Sequence, residues 1–217
     1  MSTADRNRAL RRSLRQKRRA LSRRQQRVAA VAVAQRLATW PPFRRAGLIS
    51  AYLAFDGELD PGPSMQLAWQ LGKRVCLPVI GPGGSMHFRE LAAGAPLKPN
   101  RYGILESRTG RRHPASRIDL VLLPLVGFDA SGHRLGMGGG YYDRCFARHL
   151  LHPAWTRSRL IGIAHAIQEV GRITVHPWDV PLDAVLTECG LIRPGRSPWT
   201  PRQREAVHRG PGSTSGG

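Results

Sequence analysis

The run IDLVLLPLVGF, Ile118 to Phe128, is the most hydrophobic stretch of the chain and constrains the fold more than any other. It shows no polar alternation, so both faces of the strand it forms must be covered. That is the situation of a central strand in a parallel sheet with helices on either side. GLISAYLAF, Gly47 to Phe55, reads as a second buried strand, and KRVCLPVI, Lys73 to Ile80, as a third. A short helix over 63–72 lies between these two and completes a β–α–β unit. MHFREL is a shorter, peripheral strand; RLIGIAHA and DAVLTE are the last ones, and a helix is expected from Tyr141 to about Leu151. The expected fold is α/β, a three-layer sandwich around a mostly parallel central sheet.

Residues 6–38 lack Pro and Gly and are rich in Ala, Leu, Arg and Gln, all good helix formers. Leu10, Leu14, Leu21, Val28, Val31 and Leu37 recur at roughly helical spacing and are expected to pack. Ser22 stands before RRQQRVAAVAVAQRLA as a candidate cap, so two helices with a break near residue 22 are predicted. PPF, residues 41–43, ends the helical region, and residues 93–117 read as loops. One domain is expected over 1–192, followed by a disordered basic tail over 193–217, where Pro, Gly, Ser and Arg show no periodicity.

The net charge of +20 invites a nucleic-acid reading, but it is unevenly spread. Residues 6–27 hold eleven basic side chains, and all but three of the basic residues of the chain are arginine. Such a field also attracts smaller polyanions, a nucleotide or a polycarboxylate among them. An Arg-rich, acid-poor N-terminus also fits a transit peptide, but its apolar spacing and the lack of a small-residue cleavage site argue against one. No apolar run reaches membrane-spanning length. Cys76, Cys145 and Cys189 are far apart, make no metal-ligand spacing and leave one thiol over from any disulfide, so a reducing cytoplasm is the simplest expectation.

RLGMGGGYYDR, Arg134 to Arg144, follows the central strand and precedes a helix. In open α/β sheets that crevice is where ligands bind. Glycines let the backbone approach a ligand and turn its N–H groups toward one point, which suits a phosphate. Arg134 adds a fork of donors, and Asp143 can hold Mg²⁺ bridging to phosphates. A glycine-rich turn with a surface salt bridge is the equally weighted alternative. The P-loop lysine is missing, so this is not a standard P-loop. FDGELD, Phe55 to Asp60, leaves the first strand at the same sheet edge and brings Glu58 beside the crevice, either as an acidic turn or as a double acceptor for a heterocycle. Asp179 in HPWDVPLD reads as a turn cap or a second metal ligand. His165 ends a strand and is structural or a crevice wall; the histidines show no zinc spacing.

Together, LVLLPLVGFDASGHRLGMGGGYYDR, YLAFDGELD, RYGILE (Arg101 to Glu106) and ALRRSLRQKRRALS resemble the 5-formyltetrahydrofolate cyclo-ligase family over about residues 6–190. The resemblance implies ring closure of 5-formyltetrahydrofolate to 5,10-methenyltetrahydrofolate at the cost of ATP: the formyl oxygen takes the γ-phosphate, N10 attacks the activated carbon, and phosphate leaves. It implies that Arg134, Leu135, Gly136, Met137, Gly138, Gly139, Gly140, Tyr141 and Tyr142 line the triphosphate, with Arg11 and the neighbouring Asn7 reaching the nucleotide. Arg134 and Tyr141 are the residues it points to for the chemical step. Asp143 and Asp179 match the Mg²⁺ ligands, Leu53 and Glu58 the folate site, and Arg101 and Tyr102 lie in a motif near it. The implied partners are reduced folate and ATP, with no membrane and no nucleic acid, and the chain is expected to be a monomer.

This sequence departs from the family at Asn7, where a lysine is frequent, at Gly139, where some members carry lysine, and at Ser107, where proline often stands. Two other functions are open on sequence alone. A nucleic-acid-binding protein on the same fold would interleave aromatics with its basic run, and residues 6–38 contain none. An ATP-dependent ligase for another acyl-amine substrate would share the glycine loop.

Overall fold

The computed structural model describes residues 3–99, 105–107, 109–147 and 158–194. Arg101, Tyr102 and the tail beyond Pro194 therefore lie outside the described residues. The chain opens with helices α1 (Thr3–Arg19) and α2 (Arg23–Thr39). Between them Ser22 forms a capping box: its Oγ accepts from the Gln25 backbone at 3.3 Å, while the Gln25 amide oxygen accepts from the Ser22 N–H at 2.9 Å. The two prolines after Trp40 do not close the helical region, contrary to expectation. They begin a third helix, α3 (Pro41–Arg45), because a proline in the first turn has no N–H to leave unsatisfied.

The strands are β1 (Leu48–Ser50), β2 (Arg74–Ile80), β3 (Met86–Glu90), β4 (Lys98–Pro99), β5 (Leu105–Glu106), β6 (Arg112–His113), β7 (Leu120–Pro124), β8 (Gly127–Phe128), β9 (Arg134–Leu135), β10 (Arg159–Ile163), β11 (Ala184–Leu186) and β12 (Leu191–Ile192). Helix α4 (Gly62–Gln70) joins β1 to β2, and α5 begins at Tyr141 and is described to Phe146. The main sheet runs β12-β11-β10-β7-β1-β2-β3-β6. Its five central strands, β11 to β2, are parallel, and β12, β3 and β6 add antiparallel edges. The expected central strand is β7, which pairs with β1 on one side and β10 on the other.

The coverage of both faces is visible residue by residue in β7. Leu120 and Leu122 enter the core beneath α2 and α4, with Val33, Leu37, Met65 and Ala68. Val121 and Leu123 enter the opposite core with Phe88, Phe128 and Phe146. Each of the large side chains among these, the leucines, valines and phenylalanines, contributes about 1.5–3 kcal/mol from removal of apolar surface from water. The α2 face differs from expectation. Ala29, Ala30, Val33, Ala34 and Leu37 are buried, whereas Val28 and Val31 are 61% and 42% exposed. Small alanines allow α2 to lie close to the sheet, so the valines are left on the outer face. The expected strand over 47–55 is also shorter: it stops at Ser50, and Phe55 is exposed. Beyond Pro124 the long hydrophobic run does not continue as one strand either. It turns into the β8–β9 hairpin, which delivers the glycine loop to the end of the sheet.

Candidate active site

A cavity of about 1080 Å³ opens at the carboxyl ends of β1, β2 and β7. Its lining includes all fifteen site residues expected from sequence that fall among the described ones: Asn7, Arg11, Leu53, Glu58, the whole segment from Arg134 to Asp143, and Asp179. They come from α1, the turn after β1, the β9–α5 loop and the segment before β11, so segments far apart in sequence converge on one cleft.

The glycine loop makes one wall. Gly138 has φ +100°, a conformation that L side chains rarely adopt, and Gly140 caps α5 without any side-chain hydrogen bond to the helix N–H groups. Arg11 crosses from α1 and donates from Nε to the Gly136 carbonyl at 2.8 Å, tying the helix to the loop. Met137 and Tyr141 are exposed at the cleft, and the Arg144 guanidinium sits 5.0 Å from the Tyr141 ring centroid. A side chain at Gly139 would press on the Tyr141 ring, with a Cβ only 2.7 Å from it.

Arg134 is placed differently from a fork aimed at open space. Its Nη1 donates to the Val180 carbonyl and its Nη2 pairs with Asp143, and its side chain is 7% exposed. Asp143 also accepts from the Val180 N–H at 3.1 Å. Both charged ends of the loop are thus joined to each other and to the segment carrying Asp179. The salt-bridge alternative and the site alternative describe the same residues. Asp179 accepts from the His176 N–H at 2.8 Å, which is the turn cap that its sequence context suggested. Its pKa is raised by burial and by the Asp143 carboxylate nearby. Asp143 and Asp179 line the same cleft and supply hard oxygen donors, the type Mg²⁺ takes when it is bound by one or two carboxylates together with water and phosphate oxygens.

The opposite wall is the turn after β1. The Glu58 carboxylate accepts from the Phe55 N–H at 3.1 Å and is mostly buried. Burial pushes its pKa up, against the Phe55 hydrogen bond and the Arg18 charge. The buried Tyr52 donates its hydroxyl to the Leu59 carbonyl at 2.6 Å, and burial raises the pKa of both Tyr52 and Tyr142 well above the usual phenol value. Both phenols are therefore neutral hydrogen-bonding groups near neutral pH.

Sequence reasoning missed several residues here. Asp56 sits at φ +57° and gathers Arg15, Arg18 and Arg19 around its carboxylate. Much of the basic run of α1 is therefore bound within the protein. His176 and Trp178 stack with ring centroids 4.8 Å apart and planes 4° from parallel, giving the cleft a flat aromatic wall beside Asp179. The signal was present in the HPWDVPLD segment, but nothing in the spacing told a stacked pair from two loop residues. His165 is buried, and burial lowers its pKa below the usual imidazole value, so it is a neutral structural residue outside the cavity lining. Among the described residues no group of three or more His, Cys, Asp or Glu side chains is arranged to hold a metal, and no helix is long and apolar enough to cross a membrane.

Known proteins agree with this architecture. The family model described as the 5-formyltetrahydrofolate cyclo-ligase family matches residues 3–188. The 5-formyltetrahydrofolate cyclo-ligase of Escherichia coli K12 is 41% identical over 178 residues, spanning 80% of this chain and 96% of that protein. The solution structure of Aquifex aeolicus 5,10-methenyltetrahydrofolate synthetase superposes with a TM-score of 0.75 at 29% identity, covering 90% of this chain and 97% of the other. A 5,10-methenyltetrahydrofolate synthetase structure from Mycoplasma pneumoniae gives 0.66 at 26% identity, covering 84% and 98%. The sheet order, the cleft at its carboxyl edge and these matches along nearly the whole domain lead to one conclusion: the chain belongs to the 5-formyltetrahydrofolate cyclo-ligase family.

Proposed function

We propose that the cleft closes 5-formyltetrahydrofolate to 5,10-methenyltetrahydrofolate, consuming ATP and releasing ADP and phosphate. The observation that carries this reading is the convergence of the glycine loop, two carboxylates and the Glu58 turn on a single cavity. A formyl amide oxygen is a poor leaving group, so transfer of the γ-phosphoryl group of ATP to it, with loss of ADP, makes it expellable as phosphate when N10 attacks. Positioning of two substrates and neutralisation of phosphate charge are the main tasks left to the protein.

In this reading the backbone N–H groups from Gly138 to Tyr142 receive the triphosphate, with Arg11 and Asn7 closing over it from α1. Arg134 orients Asp143 rather than gripping phosphate with its whole fork, since two of its nitrogens already have partners. Asp143 and Asp179 would hold Mg²⁺. Bound there, the ion would offset phosphate charge during transfer. Glu58 accepts a pair of N–H donors from the pterin ring, and Leu53 and Tyr141 shape the apolar part of that pocket. Arg101 and Tyr102 stay assigned to the folate side by family resemblance. We place the enzyme in the cytoplasm as a monomer, with 1–192 as its single domain; the basic tail beyond Pro194 lies outside the described residues. Purified protein mixed with Mg²⁺, ATP and 5-formyltetrahydrofolate should develop the near-UV absorbance of the methenyl product. Absence of that absorbance, with ATP left intact, would reject the assignment.

A further inference from the structure

Arg18 is fully buried, although it lies in the most basic helix of the chain. A guanidinium taken out of water is costly unless its donors find acceptors. Its Nε donates to the Asp56 carbonyl at 2.8 Å, Nη2 to the Asp56 carboxylate at 2.9 Å, and Nη1 to the Leu125 carbonyl at 3.3 Å. The same Nη2 lies 3.8 Å from Glu58 Oε1. Asp56 does not need this charge for itself, because Arg15 and Arg19 from the same helix already pair with it. Three arginines thus face two carboxylates, and Arg18 is the buried one whose field water does not screen. Leu125 and Glu58 both line the cavity, so Arg18 joins two of its walls from behind.

We infer that Arg18 is the positioning residue of Glu58, fixing the turn that carries this carboxylate and holding it as a double acceptor toward the reduced folate ring. The inference rests on the reading of Glu58 as the folate acceptor. Its consequence is chemical as well as steric. Burial pushes the Glu58 pKa up, and the Phe55 hydrogen bond, then the Arg18 charge and Arg15, oppose this. Without the Arg18 charge the Glu58 pKa rises further; a protonated carboxyl would offer a donor where the ring also donates, so folate binding becomes more dependent on pH.

The other groups facing Glu58 do not produce that dependence. Tyr52, from the segment after β1, and Tyr142, from α5, have raised pKa values and stay neutral between pH 6 and about 8. Asp56 is held at about 2 and stays charged, with Arg15 paired to it. Asp60 lies in the same turn, and His165, behind Arg18, already has a lowered pKa.

The test measures the KM for 5-formyltetrahydrofolate at saturating Mg·ATP from pH 6 to about 8, for wild type, Arg18→Gln and Arg18→Lys, with the ATP KM as a check on the fold. Arg18→Gln should show a folate KM above that of wild type that falls as the pH rises and Glu58 deprotonates, by at most about tenfold per pH unit, with the ATP KM unchanged. Wild type and Arg18→Lys should both be flat, the lysine variant at a higher KM because it loses the fork. A flat Arg18→Gln profile, or equal rises in both KM values at every pH, would overturn the inference. Should Arg18→Gln not fold, Arg18→Lys decides: a flat profile supports the inference and a pH-dependent one overturns it. Glu58→Gln separates the two levels. If it leaves folate KM unchanged, the folate-acceptor reading itself fails; if it raises folate KM while Arg18→Gln stays flat, only the role of Arg18 is lost.

Discussion

The two walls of the cleft are built on opposite plans. The glycine loop offers backbone: Met137, Gly138 and Gly139 are exposed, and the helix behind has no side-chain cap. The turn after β1 offers one carboxylate, fixed by a left-handed Asp56, three arginines and a buried tyrosine. A triphosphate is a flexible chain of like-charged oxygens, and many N–H groups that move to meet it are adequate. A pterin edge is rigid and presents paired donors, and a carboxylate that recognises it must already be in place. On the proposed function, the contrast teaches that one cavity would bind one substrate through backbone and the other through a pre-set side chain.

The comparison can be broken first at the point that both walls serve, the proposed metal. Asp143→Asn keeps an oxygen for the Val180 N–H but removes the charge, so turnover should fall by about a hundredfold or more and the Mg²⁺ requirement should rise, with the fold retained. A Mg²⁺ titration of initial rate checks this. Glu58→Gln comes next. Its amide turns a donor toward a ring donor, leaving a buried group unpaired at roughly 1–3 kcal/mol. Folate KM should then rise about ten- to a hundredfold with little change for ATP. Gly138→Ala should do the converse: a Cβ at φ +100° strains the loop, and the ATP KM should rise about tenfold while folate KM stays near its starting value.

The smallest effect concerns the clamp itself. Burial alone would raise the pKa of Asp56, but hydrogen bonds from Arg15, Arg19 and Arg18 lower it from 3.8 to about 2. The stability this adds is complete above its unfolded value and is lost as pH falls from 3.8 toward about 2. Thermal midpoints across that range should drop for wild type. Those of Asp56→Asn should start lower at neutral pH and lose less on acidification.

The sequence revealed the sheet and most of the cleft for a physical reason. Runs such as Leu120 to Leu123 must be buried on both sides, and glycines such as Gly138 occur where a backbone must take a conformation closed to other residues. It misjudged β1 because an apolar run reports burial rather than hydrogen-bond partners. Ala51 makes a last hydrogen bond to the Cys76 carbonyl, and Tyr52 is still buried although the chain has left the ladder and is turning toward Glu58. It misjudged α2 because valines looked more core-like than alanines, whereas close approach to the sheet favours the smaller side chain. Arg18 could not be singled out from the ten other basic residues of 6–27. Its role depends on Asp56 and Leu125, which are distant in sequence and meet it only in the folded chain.

The most direct test of a cleft that joins these two plans in one reaction is the ratio of ADP to methenyl product, followed together as Mg·ATP and 5-formyltetrahydrofolate are consumed. Equal amounts of both, with neither formed when either substrate is omitted, is the result this structure predicts. ADP released without methenyl product would contradict it and would point to a different acceptor for the phosphate.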